Sequence, residues 1–320
     1  MIINGNLNAF GLDISDKSVK AVQLEQRRTF RGKKQLFLRA FGEIKIPKGV
    51  IFNGEIKDAN KLAPAISQLL KNTKIKNHAV VASLPEKKSF LKLLEIKAKN
   101  ERNLNEGLPK IIESHLPVSY KEIYADWQII SHRDDSMSRH YKVLVGAASR
   151  KSVDSLTNFL ESLRLIPMAL EIEGVAIARS VLGPSKPLPN KKILNHAIVN
   201  IGATSSNLIF AQNNIPALSL TLPTPENSAK IDDIVKKINK ALSFYISSDD
   251  KNKLSGICMG GEGMDLSKLN TLLSQKLGIK IKTCGSLTGI ITKNTAFQKE
   301  STKYATAIGL AIRGAISQFL

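Results

Sequence analysis

Apolar and polar residues follow the same pattern in two segments, which begin at residues 9 and 197. The first reads AFGLDISDKSVKAVQL, in which two apolar stretches flank a short polar turn. The second reads AIVNIGATSSNLIF and repeats the arrangement about 187 residues later. Apolar runs bounded by Gly, Ser, Thr and Asp are typical of strands joined by tight turns. We therefore predict a strand–turn–strand unit at the start of each half of the chain.

Strand and helix patterns alternate through the rest of the sequence. The strands expected between and after the two hairpins are 36–46, 79–84, 90–96, 123–131, 141–148, 168–172, 216–222 and 256–259. The expected helices are 59–70, 101–114, 150–163, 173–182, 230–247, 268–277 and 304–319. Asp58 is a suitable N-cap for the first of these helices. This alternation predicts an α/β protein.

The chain is expected to divide into more than one unit, because its 320 residues are about twice the size of a common domain. Residues 86–148 have the order strand, helix, strand, strand, which is that of a small α+β insert. The Pro-rich stretch GPSKPLPN predicts an interdomain linker at 184–192. The second half then begins with the second hairpin.

The composition is that of an ordinary globular protein, except for its charge. Lys and Arg number 47 against 27 Asp and Glu, which gives a net charge of +20. Residues 1–100 hold 20 basic and 8 acidic side chains. Such a surface can attract anionic lipid, acidic partners or nucleic acid, or reflect a lysine-rich proteome. No helix-turn-helix, zinc-finger or RNA-binding aromatic motif is present, so nucleic acid is not an expected partner.

Several classes of protein are excluded by what the sequence lacks. Two cysteines far apart, Cys258 and Cys284, cannot form a disulfide framework. The five histidines are scattered without metal-ligand spacing. No apolar run reaches the roughly 18 residues of a membrane span, and the first residues do not resemble a signal peptide. A soluble, intracellular protein is expected.

The two turns carry residues suited to binding phosphate. Backbone N–H groups and hydroxyls in Gly-, Ser- and Thr-rich turns can bind an anion, and a carboxylate such as Asp13 can hold the metal of a bound nucleotide. Asn200 occupies the corresponding position in the second hairpin. A third Gly-rich turn, MGGEG at 259–263, follows a strand and would allow the backbone to approach a base or ribose closely. Each signal alone is weak, and a plain tight turn is its simpler interpretation.

Taken in this order, the three turns resemble the phosphate 1, phosphate 2 and adenosine motifs of the actin-like ATPase superfamily. Within it, the sequence resembles the PilM family of type IV pilus assembly, which is akin to the cell-division protein FtsA. The resemblance extends over nearly the whole chain, through GLDISDKSVKAVQL, HLPVSYKEIYADWQII, VLVGAASRKSVDSL, LIPMALEIEGVAIAR, AIVNIGATSSNLIF, CMGGEGMDLSKLNTLLSQKLGIKI and YATAIGLAIRG.

The resemblance implies a two-domain, actin-like (ribonuclease H-like) α/β fold. Subdomain 1A would comprise 1–85 and 149–183, an inserted 1C-type α+β subdomain 86–148, and the second domain 193–320. It further implies ATP with Mg²⁺ as cofactor, Asp13 as the metal-side residue and either Glu171 or Glu173 as a water-activating acid. The implied cofactor-binding residues are Asp13, Ser15, Ser18, Lys20, Asn200, Gly202, Thr204, Ser205, Gly260, Gly261 and Gly263.

Three departures from the family pattern argue against efficient hydrolysis. The phosphate 2 turn usually begins with Asp, whereas Asn200 lacks the charge that Mg²⁺ prefers. The phosphate 1 turn usually has Gly where Ser15 stands. The 2B subdomain, which would form one wall of the nucleotide cleft, is absent or reduced to about 223–230. Glu171 and Glu173 also have a simpler interpretation, as a helix N-cap and a solvated carboxylate in the first turn of a helix, stabilised by the helix dipole.

By resemblance, the expected function is a cytoplasmic scaffold of the type IV pilus inner-membrane complex, peripheral to the cell membrane. It would bind the N-terminal peptide of a PilN-like membrane protein between strand 79–84, insert 86–148 and helix 151–163. Other expected partners are pilus motor or platform proteins, an anionic membrane surface and a second copy of the chain. The alternatives are an active ATPase or small-molecule kinase of the same fold, and an FtsA-like division protein.

Overall fold

A computed structural model gives the fold of the chain. It describes residues 9–28, 32–116, 118–136, 138–183, 195–224, 231–248, 253–262, 266–285, 287 and 289–316. The linker expected at 184–192, most of the reduced segment 223–230 and Gly263 lie outside these residues.

Strands and helices alternate as the sequence pattern predicts. The strands are β1 (Phe10–Ile14), β2 (Ser18–Arg28), β3 (Lys34–Lys45), β4 (Ile51–Phe52), β5 (Glu55–Ile56), β6 (Ala79–Leu84), β7 (Ser89–Ala98), β8 (Ile123–Asp134), β9 (Arg139–Ser149), β10 (Ile166–Ile172), β11 (Asn195–Ile201), β12 (Ser205–Gln212), β13 (Ile215–Pro223), β14 (Gly256–Gly261), β15 (Ile281–Thr283) and β16 (Ile290–Ile291). The helices are α1 (Ala59–Thr73), α2 (Glu101–Ser114), α3 (Arg150–Ser162), α4 (Glu173–Leu182), α5 (Ile231–Ser248), α6 (Leu266–Leu277), α7 (Thr295–Glu300) and α8 (Ala305–Ala315).

Two mixed sheets contain most of the strands, and their centres share one topology. The first has the order β10-β6-β1-β2-β3-β16, and the second has the order β15-β14-β11-β12-β13-β7-β9-β8. In each, an antiparallel three-stranded meander joins a parallel strand at its first member: β6 beside β1, and β14 beside β11. The repeat seen in the two hairpins therefore extends to the sheets around them.

The apolar faces of these elements pack together into separate hydrophobic cores. Helices α1 and α3 cover one face of the first sheet, with Leu62, Ile66 and Leu160 fully buried there. Helices α5 and α6 cover the second sheet in the same way. The side chain of Asp58 accepts a hydrogen bond from the backbone N–H of Lys61 at 3.1 Å, which confirms it as the N-cap of α1.

The insert has its own core and is joined to the second sheet. Helix α2 packs on one face of β7, β9 and β8, where Tyr141, Val143 and Val145 are fully buried. Strand β7 also pairs with β13 at one position, Lys92 opposite Leu218. The insert strands thereby continue the sheet of the second half.

The last helix packs against the first half of the chain. Helix α8 packs on β1, β2, β6 and α4 through small residues, and a Cβ on Gly309 would overlap the carbonyl oxygen of Ala176. Such close backbone approach needs glycine and explains the small-residue face of this segment. The helix ends at Ala315, since Ile316 is extended, and residues 317–319 of the predicted helix lie outside the described residues. The division into subdomains at 1–85 with 149–183, 86–148 and 193–320 stays a prediction.

Candidate functional site

The first hairpin places Asp13 at the end of β1, beside the neighbouring strand β6. Ser83 of β6 donates a hydrogen bond from its hydroxyl to the Asp13 carboxylate at 3.1 Å and accepts one from the N–H of Ile14 at 3.2 Å. The turn that follows is closed by Ser15, whose N–H and hydroxyl both donate to the carbonyl oxygen of Ser18. These bonds fix the Asp13 side chain and the turn in one conformation.

The second hairpin faces the first, and the two turns touch. Asn200 lies near the end of β11, and the turn to β12 contains Gly202 and Thr204. Lys17 donates from its ammonium group to the carbonyl oxygen of Ala203 at 3.2 Å. The Thr204 hydroxyl donates to Asp16 at 3.4 Å. The two phosphate-type turns therefore form opposite walls of a narrow cleft.

The third turn follows β14, next to the end of β11. Gly261 has φ of +110°, and a Cβ there would overlap the backbone of Ile201, so the position requires glycine. The N–H of Glu262 then donates to the carbonyl oxygen of Ile201 at 2.7 Å. This turn directs the Glu262 carboxylate back into the cleft, where it forms an ion pair with Lys20 of the first hairpin.

The structure brings most of the predicted site residues together in this cleft. Those that line it are Asp13, Ser15, Lys20, Glu173, Asn200, Gly202, Thr204, Ser205 and Gly261. Ser18 and Gly260 support the turns without lining the cleft: Ser18 closes the first turn, and Gly260 lies against Cys284 and Thr302. Gly263 lies outside the described residues. These contacts leave a cleft of about 80 Å³.

Glu171 does not reach the cleft, contrary to the expectation that it is a candidate water-activating acid. Arg179 donates two hydrogen bonds to its carboxylate, one of them at 2.7 Å, and Arg313 donates another at 2.8 Å. Burial by itself raises the pKa of Glu171, but the two guanidinium groups outweigh it and hold that pKa below its usual range. The buried carboxylate joins β10 and α4 to α8 and has a structural role.

Glu173, two residues further on, does line the cleft. It opens α4 and accepts a hydrogen bond from the side-chain amide of Asn207 at 2.8 Å. Burial, with smaller contributions from the negative charges of Asp13 and Glu86, raises the pKa of Glu173 to about 8. This side chain therefore holds its proton at neutral pH and can donate as well as accept.

Several cleft residues were not predicted from the sequence. They include Asp16, Lys17, Glu86, Asn207, Glu262 and Lys303. Glu86 is buried, accepts a hydrogen bond from the N–H of Gly174 at 2.8 Å and has a pKa that burial raises. Of these residues, only Asp16, Lys17 and Glu262 could have been found from the sequence, because each lies inside one of the three predicted turns.

The family model that matches the chain is that of the type IV pilus assembly protein PilM, over residues 11–215 and 230–315. The chain belongs to the PilM family. The match includes all three turns of the cleft and the insert. No curated protein is a significant match to the chain.

Solved structures show that this PilM-family chain has an actin-like ATPase fold. A PilM–PilN type IV pilus biogenesis complex contains a chain with a TM-score of 0.79 and 18% identity, over 97% of this chain and 99% of that one. The ethanolamine utilization protein EutJ from Carboxydothermus hydrogenoformans has a TM-score of 0.52 and 11% identity, over 95% and 89% of the two chains. No helix in the described part of the chain has the length and hydropathy needed to cross a bilayer.

Proteins with an actin-like ATPase fold generally bind ATP with Mg²⁺, and the cleft offers donors suited to a phosphate chain. Lys20, Lys17 and the hydroxyls and N–H groups of the two turns are suited to phosphate oxygens. The volume is well below the ~300–1,000 Å³ of common small-molecule sites. Among the described residues, no group of three or more His, Cys, Asp or Glu could hold a metal ion. The role of Asp13 beside a metal bound with the phosphates stays a prediction.

Proposed function

We propose that this protein is a cytoplasmic scaffold of the type IV pilus inner-membrane assembly complex, where it binds the N-terminal peptide of a PilN-like membrane protein. The family match across almost the whole chain carries this proposal. The similarity to a chain from a PilM–PilN complex supports the choice of partner. The departures from an ATPase site, Asn200 above all, favour a scaffold over an enzyme.

The insert offers a sheet face that α2 does not cover. Helix α2 covers only one face of β7, β9 and β8. The other face carries Leu93, Leu144 and Gln128, which lie directly opposite one another in register, and both leucines are half-buried. At Gly146 this face approaches Ile172 at the end of β10. A peptide lying here would contact both the insert and the first sheet.

One end of this face carries an ordered aromatic anchor. Tyr124 of β8 is 43% exposed, and the Arg150 guanidinium lies 4.2 Å from the centre of its ring. An exposed tyrosine held by an arginine is typical of residues that dominate peptide and protein interfaces. Strand β8 is also the last strand at its edge of the sheet, so an extended segment could add to it.

Nucleotide binding is a second, modulating element of the proposal. The cleft residues that would hold the phosphates and Mg²⁺ are Asp13, Ser15, Lys20, Asn200, Gly202, Thr204, Ser205 and Gly261.

The further partners that we propose are pilus motor or platform proteins, an anionic membrane surface and a second copy of the chain. We also propose the subdomain division 1–85 with 149–183, 86–148 and 193–320.

Fluorescence anisotropy with the labelled N-terminal peptide of a PilN-like partner tests the scaffold function. We expect binding in the micromolar range and a loss of about tenfold or more in Tyr124→Ala, because truncating an interface aromatic commonly costs 1–2 kcal/mol or more. The matched control is Phe244→Ala, which removes another aromatic side chain, 70% exposed, from α5.

The outcomes separate the elements of the proposal. No binding of the peptide with or without MgATP would overturn the scaffold function. Equal losses in both variants would reject the sheet face of the insert as the docking surface. A change in peptide affinity on adding MgATP would support modulation by nucleotide, and an unchanged affinity would count against it.

A further inference from the structure

Lys20 is a buried cation at the centre of the cleft. It lies opposite Asp13 in the register of β1 and β2, and it is only 3% exposed. An ammonium group removed from water needs a close negative partner, because an unpaired buried charge is strongly destabilising. A ligand that binds Lys20 therefore has to displace this partner.

Three carboxylates surround Lys20, and two of them are held by other groups. Asp13 accepts the hydrogen bond from Ser83 at 3.1 Å. Glu43 lies 3.8 Å from Lys20 but forms a closer ion pair of 2.5 Å with Lys303. The short contact of Lys20 is made instead with Glu262, which comes from the opposite half of the chain.

Glu262 is the partner that can leave. Its backbone is fixed by the hydrogen bond to Ile201, but its side chain is 25% exposed at the edge of the cleft. Its carboxylate forms the ion pair with Lys20 and with no second cation among the described residues. Rotation of this side chain into water would therefore free the ammonium group of Lys20 without breaking another ion pair.

We propose that Glu262 is an internal competitor for phosphate, occupying Lys20 until a phosphate-bearing ligand displaces it. This inference rests on the proposed binding of a phosphate chain in the cleft. The ion pair also joins β2 to the end of β14, so displacement removes one of the contacts that hold the two walls together. Glu262 thereby couples occupation of the cleft to its opening.

Isothermal titration calorimetry with tripolyphosphate and with MgATP tests the proposal. Glu262→Gln keeps the size of the side chain and removes its charge. We expect this variant to bind both probes about 10–100-fold more tightly than the parent, since a charge-assisted hydrogen bond contributes roughly 1.5–3 kcal/mol. The gain should disappear in the double variant Lys20→Gln with Glu262→Gln.

A matched control separates competition from a general change in charge. Glu300→Gln removes one negative charge near Lys303, 3.8 Å away, from an exposed position outside the cleft. We expect little change in affinity for this variant. A gain as large as that of Glu262→Gln, or a gain that survives replacement of Lys20, would overturn the proposal.

Carbodiimide crosslinking of the parent protein adds a test that does not depend on a variant folding. The reagent joins a carboxylate to an ammonium group in contact, so a Lys20–Glu262 crosslink should be found by mass spectrometry. Saturating tripolyphosphate should suppress it. Binding that leaves the crosslink intact, or equal affinities in parent and Glu262→Gln, would reject the competitor while leaving the phosphate site standing. No binding to either protein would reject the phosphate site itself, and the peptide titration would still test the scaffold function.

Discussion

Replacing Glu173 by glutamine should make the protein more stable at alkaline pH. The glutamate is half-buried at the start of α4, and its pKa is raised to about 8 from an ordinary 4.5, by burial first and then by the charges of Asp13 and Glu86. Between these two values the folded protein keeps a proton that the unfolded chain has released. Stability therefore falls as the pH rises through this window, and the loss is complete above pH 8.

The size of the effect follows from the two pKa values. Each pKa unit corresponds to about 1.36 kcal/mol, so the full difference gives an upper limit of about 5 kcal/mol at high pH. Solvent reaches part of the side chain and screens its charge, which reduces the expected effect to about 2 kcal/mol. Glutamine does not ionise, and its carbonyl oxygen can still accept the hydrogen bond from Asn207.

Urea unfolding at pH 5, 7 and 9 measures the effect directly. The difference in unfolding free energy between Glu173→Gln and the parent should grow steadily from pH 5 to pH 9. The control is Glu161→Gln, which removes an exposed carboxylate from α3 and corrects for the loss of one negative charge. A constant difference between Glu173→Gln and the parent across the three pH values would refute the reasoning.

Two further predictions concern the packing of α8. Glu171→Ala should lower the unfolding free energy by about 2–3 kcal/mol, because it removes the buried carboxylate that pairs with Arg179 and Arg313, which are 22% and 27% exposed. Urea unfolding measures the loss, and the same measurement on Glu161→Ala shows whether it is specific to Glu171. Gly309→Ala should lower the melting temperature by several degrees, since the added Cβ would overlap the backbone of Ala176. The control Gly285→Ala should leave it unchanged, because the added Cβ meets no atom within 4 Å. Equal melting temperatures for the two variants would contradict the close approach of α4 and α8.

The sequence predicted the three turns because each is a local pattern. The residues around Asp13 and Asn200 are contiguous in the chain, and the fold required only that the two hairpins face each other. Glu171 and Glu173 could not be distinguished in the same way. They flank the end of one strand, and only the structure shows that one meets two arginines while the other meets the cleft.

The residues that reach the cleft from distant segments could not be predicted from the sequence pattern. Glu86 follows β6 and Lys303 precedes α8, and neither belongs to a motif that marks phosphate chemistry. Short strands such as β15 and β16 were missed as well, because two or three residues are too few to show a period of two. Their pairing comes from the neighbouring strands rather than from their own sequence.

Strands β7 and β13 are paired at fewer positions than any other neighbours in the eight-stranded sheet. One position, Lys92 opposite Leu218, links the strands of the insert to those of the second half. A backbone hydrogen bond contributes only about 1 kcal/mol, so the packing around this position supplies most of the contact between the two sets of strands. Glu86 accepts a hydrogen bond from Gly174 at the start of α4, close to Ser219 of β13, and also lines the cleft. Glu86 therefore connects the insert to the cleft through α4, so a peptide that shifted the insert would also act on the residues around the phosphate turns.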